Sequence, residues 1–292
     1  MKFDFAPAQG YTAQALTAIF SRLRQLLAGV HREDTGIRLA QLYLELEEIS
    51  DPAAPAADRA RLFVRARGSE GEWRAFAGWP VPETRYRRLY LDPAAGRLLD
   101  ELPAEPASRW YLATSGGYDR QRRELGRVVL EYPFERPADV LGYMRLRVWM
   151  AALDADDLDV FVGVQKVDRQ GQVVPFIHYA QNEDGPVALG WLRASHRELD
   201  LARSTEGQPV HTHRRELKVR PGEVVPLEIE IWPSGTRFEA GERLRLIIQG
   251  RDIQEYPPSR VYFRHEATVN RGRHAVYGGG PYDSYLVLPI VD

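Results

Sequence analysis

No cysteine occurs among the 292 residues, so disulfides and thiolate chemistry are excluded. Charge of one sign is not in excess either: a formal net charge of −2 provides no global field to attract DNA, RNA or an anionic membrane. The arginine clusters at Arg85, Arg87 and Arg88 and at Arg120, Arg122 and Arg123 therefore read as solvated edges of strands and loops. Long apolar runs are missing, the longest being far shorter than the ~20 residues a membrane helix requires. The N-terminus carries Lys2 but no continuous apolar core followed by a small-residue cleavage site, so no signal peptide is expected. A cytoplasmic protein with neither a nucleic-acid nor a membrane partner is the expectation. No GxSxG nucleophile elbow, fixed-period repeat or low-complexity tract is present.

What the chain does contain is period-2 alternation. Met144, Leu146, Val148 and Met150 share one face opposite Tyr143, Arg145, Arg147 and Trp149, and Val160, Val162 and Val164 repeat the pattern beyond the acidic turn Asp154 to Asp159. Leu227, Ile229 and Ile231 alternate with glutamates, and Leu244, Leu246 and Ile248 follow a PSGTRFEAGE connection. At the C-terminus, Gly278, Gly279 and Gly280 can reverse the chain at positive φ. The strand after them, alternating Ser284, Leu286 and Leu288 with Tyr285 and Val287, is predicted to end at Pro289. Such strands bury their apolar faces in two packed sheets, and no βαβ alternation follows residue 75, so an antiparallel sandwich or jelly roll is predicted.

The first 78 residues differ. Leu16, Ile19, Phe20, Leu23, Leu26 and Leu27 fall on one stripe of a helix that Gly29 can cap. Leu42, Leu44 and Leu46 alternate as a half-buried strand, and DPAAPAA at 51 to 57 reads as a short linker. Two segments follow: a helix, strand and linker over 1–78 and a β domain over 79–292. The helix stripe is expected to be buried by the sandwich or by a second copy of the chain.

Chemistry-bearing residues are sparse in any recognisable pattern. Asp283, Ser284 and His274 lie near the triple glycine, but neighbouring residues of a strand face opposite ways, which opposes a triad there. Ser195 and His196 are adjacent in RASHRELD, a setting suited to loop hydrogen bonds. On a strand, His211 and His213 would face one side and could share a metal ion, with His178 or His196 as further donors, but spacing fixes no third ligand. Asp154, Asp156, Asp157 and Asp159 offer oxygen ligands without the glycine and terminal glutamate of a calcium loop, so a solvated turn is expected. Trp73, Trp79, Trp110, Trp149, Trp191 and Trp232 could stack on a sugar if exposed, and the sequence does not choose among them. No catalytic, cofactor-binding or metal-ligating residue is assigned.

Several segments in order carry a resemblance: WPVPETRYRRLYLD at 79–92, LRVWMAALDADDLDVFVGVQKVD at 146–168, LGWLRASHRELD at 189–200 with PVHTH at 209–213, EIWPSGTRFEAGERLRLIIQGRD at 230–252, and NRGRHAVYGGGPYDSYLVLP at 270–289. Together they resemble the C-terminal region of the CocE/NonD serine hydrolases, the family of cocaine esterase and X-Pro dipeptidyl-peptidase. The resemblance implies a mainly β, galactose-binding-like jelly-roll sandwich without catalytic residues or cofactor. It also implies that an α/β-hydrolase domain for ester or X-Pro peptide hydrolysis carries the nucleophile. Only 78 residues precede Trp79, fewer than such a domain needs. A non-catalytic accessory domain, inactive alone and partnered by a separate α/β-hydrolase chain or a second copy, is therefore expected. The alternatives are an independent carbohydrate- or small-ligand-binding sandwich and a divergent stand-alone hydrolase.

Overall fold

The computed structural model describes residues 60–115, 124–177, 184–254, 265 and 267–291. The expected helix at 15–27, the strand at 42–46, the linker at 51–57, the second arginine cluster and His178 lie outside them. The described residues form β1 (Ala60–Arg67), β2 (Glu70–Phe76), β3 (Arg85–Asp92), β4 (Arg97–Leu99), β5 (Ala107–Leu112), β6 (Arg127–Pro133), β7 (Ala138–Ala152), β8 (Asp159–Val167), β9 (Val173–Val174), β10 (Ala188–Arg193), β11 (Val225–Phe238), β12 (Arg243–Gln249), β13 (Arg273–Gly278) and β14 (Tyr285–Val291). A single 3₁₀ turn, Ala194–His196, follows β10 among them.

Two compact units are distinguished, one of Met1–Phe63 with Trp73–Pro82 and one of Val64–Glu72 with Glu83–Asp292. In the first, the rings of Phe63 and Trp73 meet at 5.4 Å between centroids, with the Arg61 guanidinium over Trp73.

The second unit is a curled sheet that forms a β-sandwich. Its strands run in the order β10, β8, β12, β6, β4, β3, β14, β7, β11, with β13 bridging β5 to β7. Most pairs are antiparallel; β4 joins β6 in parallel at Arg97 and Glu131. Curling brings β10 back against β11, where Gly190 lies against the Glu230 carbonyl. The apolar faces read from the sequence meet inside: Met144, Leu146, Val148 and Met150, Val160, Val162 and Val164, Leu227, Ile229 and Ile231, and Leu244, Leu246 and Ile248 belong to one core. Burial of that kind contributes about 25 cal/mol per Å² of apolar surface and is the principal stabilising term.

Lys166 continues the inward face of β8. Its ammonium, 3% exposed, donates to the carbonyls of Ala66 and Arg237 at 2.9 and 2.8 Å and pairs with Glu242 at 2.7 Å. A buried charge persists only when paired and hydrogen-bonded in this way.

Three local expectations are corrected. Residues 233–238 of the PSGTRFEAGE stretch are not a connection: β11 runs on to Phe238, and an extra residue between Ile231 and Ser234 is absorbed as a bulge against β7. The last strand does not end at Pro289 but reaches Val291. The missing N–H of Pro289 is accommodated by a register shift against β7, where Gly142, at φ +134°, leaves room for the ring. Of the three consecutive glycines, Gly279 and Gly280 take positive φ, whereas Gly278 serves close packing: a Cβ there would lie 2.3 Å from the Leu91 carbonyl oxygen.

Candidate functional site

Ser284, Asp283 and His274 each have other partners. The Ser284 hydroxyl is buried, donates to the Tyr277 carbonyl at 2.6 Å and accepts the Trp149 N–H at 2.9 Å, tying β13 to β7. Asp283 accepts from the Arg147 guanidinium at 3.0 Å and from the Trp149 indole at 2.7 Å. His274 is fully buried, with Nδ1 3.2 Å from the Tyr111 hydroxyl, and burial pushes its pKa down to about 4. Such geometry supports strand joining, with no nucleophile activated by a base.

The acidic turn is not a solvated one throughout. Asp157 is 1% exposed; its carboxylate accepts the N–H groups of Leu158 and Ser195 at 2.9 and 3.0 Å and the Lys218 ammonium at 2.9 Å. Burial works to raise its pKa, and the bonds from Ser195, Lys218 and Leu158 outweigh that and hold it below the usual carboxylate range. Asp159 receives two bonds from Arg193, and Asp154 is brought down to about 2 by the hydrogen bonds of Arg273. The period-2 reading missed these roles because most partners of these turn carboxylates come from segments distant in sequence, among them Arg193, Ser195, Lys218 and Arg273.

The histidines assemble differently from the expectation. His211 and His213 do not lie on a continuous strand, since His213 sits at φ +50°. Their ring centroids are 5.9 Å apart, whereas His196 meets His213 directly, Nδ1 to Nδ1 at 3.1 Å. Burial, and then the neighbouring His213, lower the His211 pKa to about 4, and its Nε2 is buried without a hydrogen-bond partner. The meeting arises because segments 198–200 and 210–212 zip antiparallel, through Asp200 N–H to Val210 C=O at 2.7 Å and Thr212 N–H to Glu198 C=O at 2.9 Å. No three histidine, aspartate or glutamate side chains converge on a metal position among the described residues.

Trp73, Trp110, Trp191 and Trp232 are the exposed tryptophans. Trp191 pairs across strands with Phe161, and Trp191 and Trp232 touch edge to face at 5.2 Å. His265 meets Trp191 at a tilt and Phe161 edge to face, and it is held by Asp252, 2.7 Å from its Nδ1. The recess beside this row, also lined by Asp159 and Arg193, encloses about 70 Å³, far below the ~300 Å³ of a pocket that engulfs a small ligand. An aromatic row of this kind offers a stacking surface rather than a cavity.

A curled all-β sandwich with no assembled triad among the described residues matches one family model, that of the X-Pro dipeptidyl-peptidase C-terminal non-catalytic domain, over residues 55–287. The chain belongs to this family. In fold it is similar to a CocE/NonD family hydrolase of Staphylococcus aureus, with a TM-score of 0.76 and 34% identity over 89% of this chain and 46% of that one. It is 25% identical over 233 residues to a candidate serine esterase of Mycobacterium bovis, spanning 66% of this chain and 34% of that protein. An aminopeptidase from a marine-sediment thaumarchaeon, at 16% identity and a TM-score of 0.55, shares the fold. The chain thus spans about a third to a half of the length of these relatives. Its domain is the accessory, non-catalytic β-sandwich of the CocE/NonD hydrolases.

Proposed function

We propose that this chain acts as the structural partner of an α/β-hydrolase module that holds the nucleophilic serine and cleaves esters or peptide bonds after proline. The observation that carries the reading is the family match over 55–287, supported by the similarity to the S. aureus hydrolase over less than half of that enzyme. The sandwich contributes a rigid, twisted surface and no reacting group. A second copy of the chain is the other partner in this reading, through the apolar stripe at Leu16, Phe20 and Leu23. We place its work in the cytoplasm.

The test is direct. Purified chain is incubated with ester and X-Pro substrates and with a fluorophosphonate probe. Neither turnover nor labelling is expected. Stoichiometric labelling of one serine, lost together with turnover when that serine is changed to alanine, overturns the reading.

A further inference from the structure

The geometry points to a two-histidine site for a divalent first-row transition ion, formed by His196 and His213. Their Nδ1 atoms are 3.1 Å apart, so that at present one ring donates its Nδ1 proton to the other. An ion bonded to both at ~2.0–2.1 Å would subtend roughly 95–100°, close to the cis angle of tetragonal or octahedral coordination and within small adjustment of a tetrahedron. Binding needs no net proton loss: the donor ring moves its proton from Nδ1 to Nε2, and both neutral rings then present lone pairs to the ion.

Both side chains stand on backbone that is fixed from outside the pair. The turn bearing His196 is pinned by the Asp157 carboxylate on the Ser195 N–H at 3.0 Å and by the Leu217 N–H on the Ser195 carbonyl at 2.7 Å. The segment bearing His213 is pinned by Thr212, whose N–H meets the Glu198 carbonyl at 2.9 Å and whose hydroxyl meets the Glu198 carboxylate at 2.6 Å. That carboxylate is also occupied by Arg215, so it does not compete for the ion. His213 itself holds a left-handed φ of 50°, a conformation histidine adopts more readily than most residues. Little ordering is left for the ion to impose, which favours binding by so small a ligand set. With two protein donors, the remaining positions are left to water or to a donor from outside the chain, and an ion here would staple 196 to 213 across the middle connection.

Copper should bind most tightly and zinc less so, following the general order of affinities for nitrogen sites. The experiment titrates untagged protein with Cu²⁺, Ni²⁺ and Zn²⁺ by calorimetry, beside His196→Gln and His213→Asn, the second chosen because asparagine tolerates the left-handed backbone. One ion per chain is expected, with each variant weakened at least about tenfold and its metal-free melting temperature unchanged. As an independent readout, Zn²⁺ should move the Nδ1 resonances of these two imidazoles in a nitrogen–proton correlation spectrum of the wild-type chain. Absence of saturable binding, binding indifferent to both substitutions, or zinc shifts confined to other histidines would overturn the assignment.

Discussion

Gly190 lies so close to Glu230 that a Cβ added to it would sit 2.2 Å from the Glu230 carbonyl oxygen. That contact is where β10, at one end of the strand order, packs back on β11, and a backbone oxygen has no rotamer with which to retreat. Gly190→Ala is therefore expected to force the strands apart and destabilise the domain by about 1–3 kcal/mol or more. Gly222, with nothing within 4 Å of an added Cβ but a φ of +81°, separates backbone strain from crowding. Chemical denaturation of both alanine variants checks this. A Gly190→Ala midpoint equal to wild type would show that β10 does not rest on β11.

Removal of residues 281–292 should abolish cooperative folding. β14 is central, paired with β3 on one side and β7 on the other, and Leu286, Val287 and Leu288 are no more than 1% exposed. Loss of several buried side chains at ~1.5–3 kcal/mol each equals or exceeds the ~5–15 kcal/mol that holds a domain folded. Thermal melting and amide exchange give the answer; an unchanged melt contradicts the central position of β14.

Stability should fall as the solution is acidified from about pH 6.5 to pH 4, in part through His274. Burial lowers its folded pKa to about 4, while the Asp159 and Asp154 carboxylates pull more weakly the other way. The unfolded imidazole takes up its proton near pH 6.5, so between the two values the unfolded state binds more protons. The contribution is fully present above pH 6.5 and lost by pH 4, at most about 3 kcal/mol. His274→Leu should flatten the slope of stability against pH in this window, whatever its effect at pH 7. A slope identical to wild type would mean that His274 titrates in the fold as it does in the open chain.

Breaking the buried pair of Lys166 and Glu242 should cost more than replacing it. Lys166→Met leaves Glu242 and two carbonyls without their ammonium, an expected loss of about 3–5 kcal/mol. Lys166→Met with Glu242→Gln removes the stranded charge and should recover part of that loss. A double-mutant cycle by urea denaturation measures the coupling, and additive losses would show that the two groups act independently.

The amino-acid sequence by itself determined the strands and their inward faces. Alternation at Met144 to Met150, Val160 to Val164 and Leu227 to Ile231 is a local, period-2 property, and burial of those faces follows from hydrophobicity alone. The family was legible as well, because its segments recur in order along the chain. Only the tertiary structure decided how strands end and what polar groups meet. Pro289 continues a strand because β7 shifts register beside it, and Gly278 is required by a carbonyl nearly two hundred residues earlier in the chain, that of Leu91. His196 finds His213, rather than His211 sharing a strand face with it, because two segments zip together across a connection. Periodicity reports which face of a strand is apolar; hydrogen bonds and close contacts depend on register between distant segments, and register is set by the packed fold.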